Sequence, residues 1–196
     1  MNESALIIFV RNPILGKVKT RLAKTVGDDR ALEIYHKLLQ HTKEVTQELA
    51  CDKFIFYADH INKNDIWPDA IYKKKLQDGN DLGNRMEHAF ATLFKLGYAQ
   101  IGIIGSDCFE LTTENLQRAF IELKSNTIVI GPSKDGGYYF LGMRKLCLPL
   151  FKNKQWSTKH VFNETMVDVH NLNCSFSWLP TLRDVDEEKD VPACML

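Results

Sequence analysis

Ala5-Leu-Ile-Ile-Phe-Val10 is an unbroken apolar run, and Arg11-Asn-Pro-Ile-Leu-Gly16-Lys-Val-Lys19-Thr20-Arg21-Leu22 follows it directly. An apolar run of this length is typical of a strand that is buried on both faces of a parallel sheet. About a hundred residues later, a second such run, Ile101-Gly-Ile-Ile104, precedes Gly105-Ser106-Asp107. Ligands of open α/β sheets bind beyond the carboxyl ends of the strands. The two loops are therefore expected to share one cleft.

Strand and helix signals alternate along the rest of the chain. Helices are predicted after a cap at Asp28 or Asp29, after Leu82, after a cap at Thr112 or Thr113, and after a cap at Ser157 or Thr158. Further strands are predicted at Lys53-Phe-Ile-Phe-Tyr57, Ala70-Ile-Tyr72, Thr127-Ile-Val-Ile130, Tyr138-Tyr-Phe-Leu141 and Ser175-Phe-Ser-Trp178, with Gly131-Pro132 as a turn. This alternation predicts a three-layer α/β fold, a mostly parallel sheet with helices on both faces. We expect one domain over residues 1–196.

Composition limits the classes of function. The chain has 196 residues with 44% hydrophobic side chains and no net charge, so no global field recruits nucleic acid or an anionic membrane. No apolar run approaches the roughly 18 residues of a membrane span, and we expect a cytoplasmic protein. The five cysteines are odd in number and form no C-x-x-C pair, which argues against a disulfide framework or a zinc site.

The first loop has the chemistry of a phosphate site. Arg11, Lys19 and Arg21 supply fixed cations, and Gly16 allows close approach of the backbone. Lys17 and Thr20 are further donors, and a helical turn that starts at Leu22 adds N–H groups with a favourable dipole. The alternative is a solvated basic loop beside a helix cap. The loop matches neither a Walker A sequence nor a Rossmann glycine pattern.

Asp107 is the candidate metal ligand. It follows a buried strand, and a carboxylate at that edge suits a hard cation that bridges phosphates. An acidic residue in this place often caps the next helix instead, but Thr112 and Thr113 are better placed for that purpose. A hard cation is therefore expected at Asp107.

Two further loops can contact a ligand. The stretch from Gln77 to Arg85 is rich in amide and carboxylate groups that could read a base or ribose, although its residues are also ordinary turn formers and Asp81 is a plausible N-cap. Asp135-Gly136-Gly137 predicts a turn with close backbone approach, followed by Tyr138 and Tyr139 on opposite faces of a strand. The alternative for this second loop is a tight hairpin turn with two packed aromatic rings.

Six motifs in order resemble a small bacterial branch of the nucleotide-diphospho-sugar transferase superfamily, whose members are commonly labelled glycosyltransferases of the GT-A fold. The motifs are R-x-P-x-x-G-x-x-K-T-R-L from Arg11, Q-x-G-x-D-L-G-x-R-M from Gln77, G-S-D-C from Gly105, D-G-G-Y-Y from Asp135, W-S-T from Trp156, and a terminal D-x-D at Asp184 and Asp186. The resemblance runs from Phe9 to about Asp190.

The resemblance implies roles by position. Arg11, Lys19 and Arg21 would hold phosphates, and Asp107 would bind Mg²⁺ or Mn²⁺. The second metal carboxylate would come from the terminal motif, with Asp186 ahead of Asp184. The residues implied near the nucleoside are Gln77, Gly79, Asp81 and Arg85. The chain departs from the family pattern at Phe109, where proline is usual, and after Asp186, where Glu187-Glu188 replaces Thr-Pro.

Three functions follow as hypotheses. The first is a metal-dependent glycosyltransferase that takes a sugar from a nucleotide diphosphate sugar to a small-molecule acceptor, with Asp107, Lys19, Arg21 and Asp135 as catalytic residues and Asp135 as general base. The second is a nucleotidyltransferase, in which a phosphorylated acceptor attacks the α-phosphorus of a nucleoside triphosphate. The third is a non-catalytic nucleotide-binding protein, which the departures at Phe109 and Glu187 motivate.

Overall fold

The computed structural model describes residues 3–195, and seven strands in it form one sheet. The strand order is β3-β2-β1-β4-β6-β5-β7. The strands are β1 (Ser4–Val10), β2 (Asp52–Tyr57), β3 (Tyr72–Leu76), β4 (Gln100–Ile104), β5 (Ile128–Pro132), β6 (Tyr138–Met143) and β7 (Phe176–Trp178).

The sheet is mostly parallel, and this confirms the predicted fold class. Strands β1, β2, β3 and β4 run parallel to one another, as do β5 and β7. Only β6 is reversed, between β4 and β5. The carboxyl ends of β1, β2 and β4 therefore lie at the same edge as the beginning of β6, which is where the loops of interest begin.

Helices cover both faces of the sheet. The α-helices found within residues 3–195 are α1 (Thr20–Val26), α2 (Asp28–Gln47), α3 (Leu82–Lys95), α4 (Thr113–Glu122) and α5 (Val161–Asn171). Apolar side chains of α2 and α4 pack on one face, and those of α3 and α5 pack on the other. The strands contribute alternate residues to the two clusters: Leu6 and Ile8 to the first, Ala5 and Ile7 to the second.

Two predicted strands are displaced. The third strand is not Ala70-Ile-Tyr72 but begins at Tyr72 and continues through three lysines, which an edge strand can carry because they reach solvent and acidic partners. Gly131-Pro132 is not a turn but the end of β5, where the pairing with β6 shifts its register. Proline is tolerated there because a bulge removes the need for its missing N–H.

Helix caps are partly as predicted. Thr112 caps α4 in a reciprocal capping box with Asn115. By contrast, Gly27 stands at the N-cap of α2, so Asp28 and Asp29 lie in its first turn, and His160 takes the place expected for Ser157 or Thr158 at α5. Within residues 3–195, none of the helices has the length and apolar character needed to cross a bilayer.

Candidate active site

One cavity of about 640 Å³ lies at the carboxyl edge of the sheet, within the size range of small-molecule sites. The loops after β1 and β4 both line it, as the sequence predicts, together with the loop after β5, the beginning of α3 and the segment that carries Asp184 and Asp186. Most of the predicted site residues are among its walls: Arg11, Lys19, Thr20, Arg21, Gln77, Asp81, Arg85, Asp107, Asp135, Gly137 and Asp186.

The ammonium group of Lys19 lies between two carboxylates. Its Nζ is 3.0 Å from Oδ2 of Asp107 and 3.2 Å from Oδ1 of Asp186. Burial acts to lower the pKa of Lys19, but the charges of Asp107 and Asp186 and their hydrogen bonds outweigh it, so that the pKa is raised. Lys19 therefore remains a cation at any physiological pH.

The backbone directs Lys19 into the cavity. Lys19 is the N-cap of α1 and adopts a left-handed conformation with φ 46°, which a non-glycine residue rarely does. Such strain is tolerated where surrounding contacts impose it, commonly at binding sites. Arg21, two residues later, also contacts Asp186: its Nη1 lies 3.3 Å from Oδ2, whereas Lys19 contacts Oδ1.

A non-local hydrogen bond holds the terminal acidic motif against Asp107. The backbone N–H of Val185 donates to the carbonyl of Asp107 at 2.9 Å. The preceding residues follow β5, since Leu179 N donates to Ile130 O and Leu182 N donates to Pro132 O. The segment thus runs from the end of β5 to the end of β4. Its two carboxylates, Asp184 and Asp186, flank Val185 in the sequence.

Asp184 is the other carboxylate of the terminal motif, which the resemblance places second to Asp186 as a metal ligand. Its Oδ1 is buried and has no hydrogen-bond partner among residues 3–195. Desolvation, followed by the negative charges of Asp107 and Asp135, raises the pKa of Asp184 to about 8. An unpartnered carboxylate oxygen at the wall of a cavity is placed to receive a proton or a cation.

Sequence reasoning missed Tyr35, which joins the two loops. Its hydroxyl accepts from Arg11 N at 2.9 Å, donates to Arg11 O at 3.1 Å, and lies 3.3 Å from Oγ of Ser106. Burial raises the pKa of this phenol, and hydrogen bonds from Ser106 and Arg11 offset part of the increase. The periodicity of α2 indicated only an apolar position here; the signal available was that a buried tyrosine hydroxyl needs a partner.

The Gln77 to Arg85 loop is held by hydrogen bonds to β1 and β2 at Gln77 and by bonds within the loop at Asp81 and Arg85. The side-chain nitrogen of Gln77 donates to Phe56 O at 2.9 Å and to Val10 O at 3.4 Å, so its Oε1 is the atom available to a ligand. Arg85 Nε donates to Gly79 O at 3.0 Å. Asp81 is the N-cap of α3 and accepts from Asn84 N.

The loop after β5 positions Asp135. Its Oδ1 accepts from Gly137 N at 2.9 Å and from the hydroxyl of Ser133. Since Oδ1 receives both bonds, Oδ2 is the oxygen left for a ligand. Tyr138 and Tyr139 begin β6 and pack against opposite faces of the sheet, as predicted.

Three predicted binding glycines lie outside the cavity walls. Gly16, Gly79 and Gly136 all have positive φ and serve the shape of their turns. At Gly136 the space is also required: a Cβ atom there would lie 2.2 Å from the carbonyl oxygen of Lys159. Their direct contact with a ligand stays a prediction.

The carboxylates fit a divalent cation that is shared with a substrate. Magnesium is usually bound by one or two carboxylates, with phosphate oxygens and water completing its coordination. Asp107 and Asp186 reach a common cationic atom, and Asp184 has an orphaned oxygen beside them. Within residues 3–195 no set of three or more His, Cys, Asp and Glu side chains is arranged to hold a metal ion by itself.

Comparison with solved structures places this fold among nucleotide-diphospho-sugar transferases. A protein from Desulfovibrio desulfuricans, provisionally described as a nucleotide-diphospho-sugar transferase, is 33% identical with a TM-score of 0.87, over 95% of this chain and 84% of that one. The inositol-1-phosphate CTP transferase from T. maritima is 11% identical with a TM-score of 0.60, over 97% and 92%. A cytidylyltransferase from Leptospira borgpetersenii is 15% identical with a TM-score of 0.56, over 95% and 79%. The last two show the fold alone.

The fold and the identity to the Desulfovibrio desulfuricans protein define a member of the nucleotide-diphospho-sugar transferase superfamily, which confirms the resemblance noted in the motifs. Residues 40–158 match the family described as "Uncharacterized protein conserved in bacteria (DUF2064)", and the chain belongs to that family. No curated protein resembles the chain closely enough to count as a match.

Proposed function

We propose that this protein is a metal-dependent transferase that uses a nucleotide-activated donor, and that it transfers a glycosyl group from a nucleotide diphosphate sugar. One observation carries the proposal: Lys19, a cation of the first loop, contacts both Asp107 and Asp186 within a single cavity. Groups that suit a polyphosphate and groups that suit its metal ion thus converge on one point.

The cations have a defined task in glycosyl transfer. As the bond between the anomeric carbon and the diphosphate breaks, negative charge grows on the leaving diphosphate. Lys19 and Arg21 are placed to offset that charge, with Arg11 and Lys17 on the same wall. Mg²⁺ or Mn²⁺ held by Asp107 and the terminal motif would supply further charge neutralisation.

Nucleotidyl transfer is the second candidate. The loop after β1 brings four cations to the cavity: Arg11, Lys17, Lys19 and Arg21. A triphosphate needs more neutralisation than a diphosphate, and this set favours the larger anion. The structural neighbours named as an inositol-1-phosphate CTP transferase and a cytidylyltransferase have the same fold, and the fold is their only support for this candidate.

Product analysis separates the two candidates. Purified protein with Mg²⁺ or Mn²⁺ is incubated with labelled nucleotide sugars and, separately, with labelled nucleoside triphosphates. Release of nucleoside diphosphate from the sugar donors supports glycosyl transfer, and release of pyrophosphate supports the alternative. If neither appears while nucleotide binds, the non-catalytic hypothesis takes the place of both.

Asp107→Asn tests the role of the metal carboxylate independently of turnover. We expect this variant to lose the divalent-cation dependence of nucleotide binding, measured by isothermal titration calorimetry with and without Mg²⁺. Asp29→Asn is the matched control, because Asp29 is exposed in the first turn of α2 and does not line the cavity. An unchanged Mg²⁺ dependence in Asp107→Asn would remove Asp107 from the metal site.

A further inference from the structure

The cavity has a second wall that contains few charges. Its side chains are Leu82, Met86, Tyr138, Trp156 and Val161, and this set is called the apolar wall below. Two contacts hold it together: the Tyr138 hydroxyl lies 3.9 Å from Sδ of Met86, and the indole of Trp156 packs so closely on Gly83 that a Cβ there would lie 2.6 Å from its Nε1. Leu82 is 41% exposed although it is a large apolar residue.

The apolar wall is built onto the loop of Asp135. Phe162 N donates to Gly136 O at 2.9 Å, and Gly136 touches the backbone of Lys159. The segment from Trp156 to Phe162 and the turn after Asp135 therefore form one unit. A ligand that lies on the apolar wall is close to the candidate general base. In a transfer reaction the group that needs a base is the acceptor.

The charges of the cavity argue against an anionic acceptor on this wall. Four of the five cavity-lining cations come from the loop after β1. The fifth, Arg85, precedes Met86 in α3 and directs its Nε to the carbonyl of Gly79, a residue outside the cavity walls. Two carboxylates line the cavity beside the apolar wall: Asp81, which precedes Leu82, and Asp135, whose loop is bonded to the segment of Trp156 and Val161. A phosphate here would meet repulsion, whereas the carbon face of a neutral ring would bury apolar surface.

We propose that the apolar wall binds the acceptor, and that this acceptor is an uncharged alcohol that lays a hydrocarbon or sugar-ring face on Trp156 and Leu82. This inference rests on the proposed glycosyl transfer. In that step the acceptor hydroxyl oxygen forms a bond to the anomeric carbon. The bond from that carbon to the diphosphate oxygen breaks, its electron pair leaves with the diphosphate, and the hydroxyl proton passes to the Asp135 carboxylate.

Ligand-observed NMR with a matched pair of probes tests the inference. The probes are phenyl β-D-glucopyranoside and its 6-phosphate, titrated in the presence of Mg²⁺ and uridine or guanosine diphosphate. We expect saturable binding of the neutral probe that is at least fivefold weaker in Leu82→Asp and in Trp156→Phe. Tighter binding of the phosphorylated probe, or a neutral probe that fails to bind or binds the variants equally well, overturns the proposal.

The variants are chosen to preserve the fold. Leu82 is the first residue of α3, where a carboxylate is favourable to the helix dipole, and thermal denaturation checks its integrity. Leu148→Asp is the matched control, an exposed leucine at the beginning of another helical turn outside the cavity. Nucleoside diphosphate affinity is measured on the same samples: if the nucleotide does not bind while the neutral probe does, the proposed function fails and the apolar wall stands.

Discussion

The charge of Asp184 opposes the stability of the folded chain. Its Oδ1 is buried without a hydrogen-bond partner among residues 3–195, which destabilises the folded chain whenever the carboxylate is ionised. Its carboxyl binds a proton more tightly in the folded chain, with a pKa of about 8, than in the unfolded chain, where the pKa is ~3.9. The free energy of unfolding should therefore fall as the pH rises between these two values.

Asp184→Asn is expected to stabilise the metal-free protein at pH 8. Asparagine keeps the shape of the side chain and removes the charge. The melting temperature should rise by at least about 2–4 °C, the shift that ~1 kcal/mol produces in a chain of this size. At pH 5 the difference should shrink, because wild-type Asp184 is then protonated. Thermal denaturation at both pH values checks this, and a loss of stability at pH 8 would show that the carboxylate has a favourable partner.

Lys19→Met tests whether the lysine and a divalent cation share the same carboxylates. Without the ammonium group, Asp107 and Asp186 repel each other, so we expect a lower melting temperature than for wild type. Added Mg²⁺ should restore more stability to this variant than to the wild type, because the ion can then occupy the position that the ammonium group leaves between Asp107 and Asp186. Lys24→Met, at an exposed position of α1, is the control. Equal Mg²⁺ shifts in all three proteins would contradict the shared site.

At the scale of elements, α2 does more than cover the sheet. Through Tyr35 it connects Arg11, which follows β1, to Ser106, which precedes Asp107. The proposed chemistry requires these two loops to keep a fixed relative position. Tyr35 lines the cavity, but its hydroxyl is bonded to Arg11 and lies beside Ser106, so we expect it to act as a positioning residue. The arrangement links the position of the loop after β1 to that of Asp107.

Tyr35→Phe should weaken nucleotide binding without preventing folding. Each lost hydrogen bond is worth ~1 kcal/mol, so a fall in affinity of about three- to tenfold is expected. Tyr98→Phe is matched to it: that variant loses a hydroxyl bonded to Asp52, away from the cavity. Calorimetry should show reduced nucleotide affinity in the first variant only, while both lose some thermal stability. Equal affinities would mean that the tether does not order the loops.

The terminal segment is the second element with a double role. Val185, Val191 and Met195 pack with Leu22 of α1 and Ile34 of α2 in a separate apolar cluster. Phe109, the residue that replaces the usual proline, packs against the same cluster and lies 4.6 Å from the ring of His41. The departure at Phe109 is thus accommodated by packing, and Asp184 and Asp186 line the cavity.

Val191→Ala tests the coupling between this cluster and the site. Truncation of a buried valine should lower the free energy of unfolding by ~1 kcal/mol or more. Since the same segment carries Asp186, we also expect weaker Mg²⁺-dependent nucleotide binding. Val167→Ala, on an exposed face of α5, is the control. Loss of stability with unchanged Mg²⁺ dependence would show that the carboxylates are held by the Val185 hydrogen bond alone.

At the scale of the whole molecule, the sequence predicted what local patterns determine. Continuous apolar runs such as Ile101–Ile104 identified the buried strands and hence the edge at which the loops meet. Hydrophobic patterning did not predict β3, because this edge strand consists largely of lysines. Their charges are compensated by Asp52, Asp65 and solvent, so the strand does not need apolar residues. Sequence prediction also failed at His160 because the beginning of α5 is fixed by neighbouring loops rather than by a capping side chain.

The sequence predicted the positions of those cavity residues that lie in loops directly after strands. Asp107 and Lys19 could be placed in one cleft for that reason. The partners of Tyr35 could not be predicted, since they lie 24 and 71 positions away in the sequence. The unpartnered oxygen of Asp184 could not be predicted either, since it results from burial that only the folded chain creates.

The lysines of β3 also affect how the protein behaves in concentrated solution. An outermost strand has unsatisfied backbone groups to which another molecule could add its own strand. Three lysines lie along this edge: Lys73 pairs with Asp52, Lys74 pairs with Asp65 and Asp69, and Lys75 is the third. Long charged side chains on an edge strand hinder the addition of a strand from another molecule. If Lys73 and Lys75 were replaced with valine, the edge strand would be apolar and exposed, and we expect fibrous aggregation.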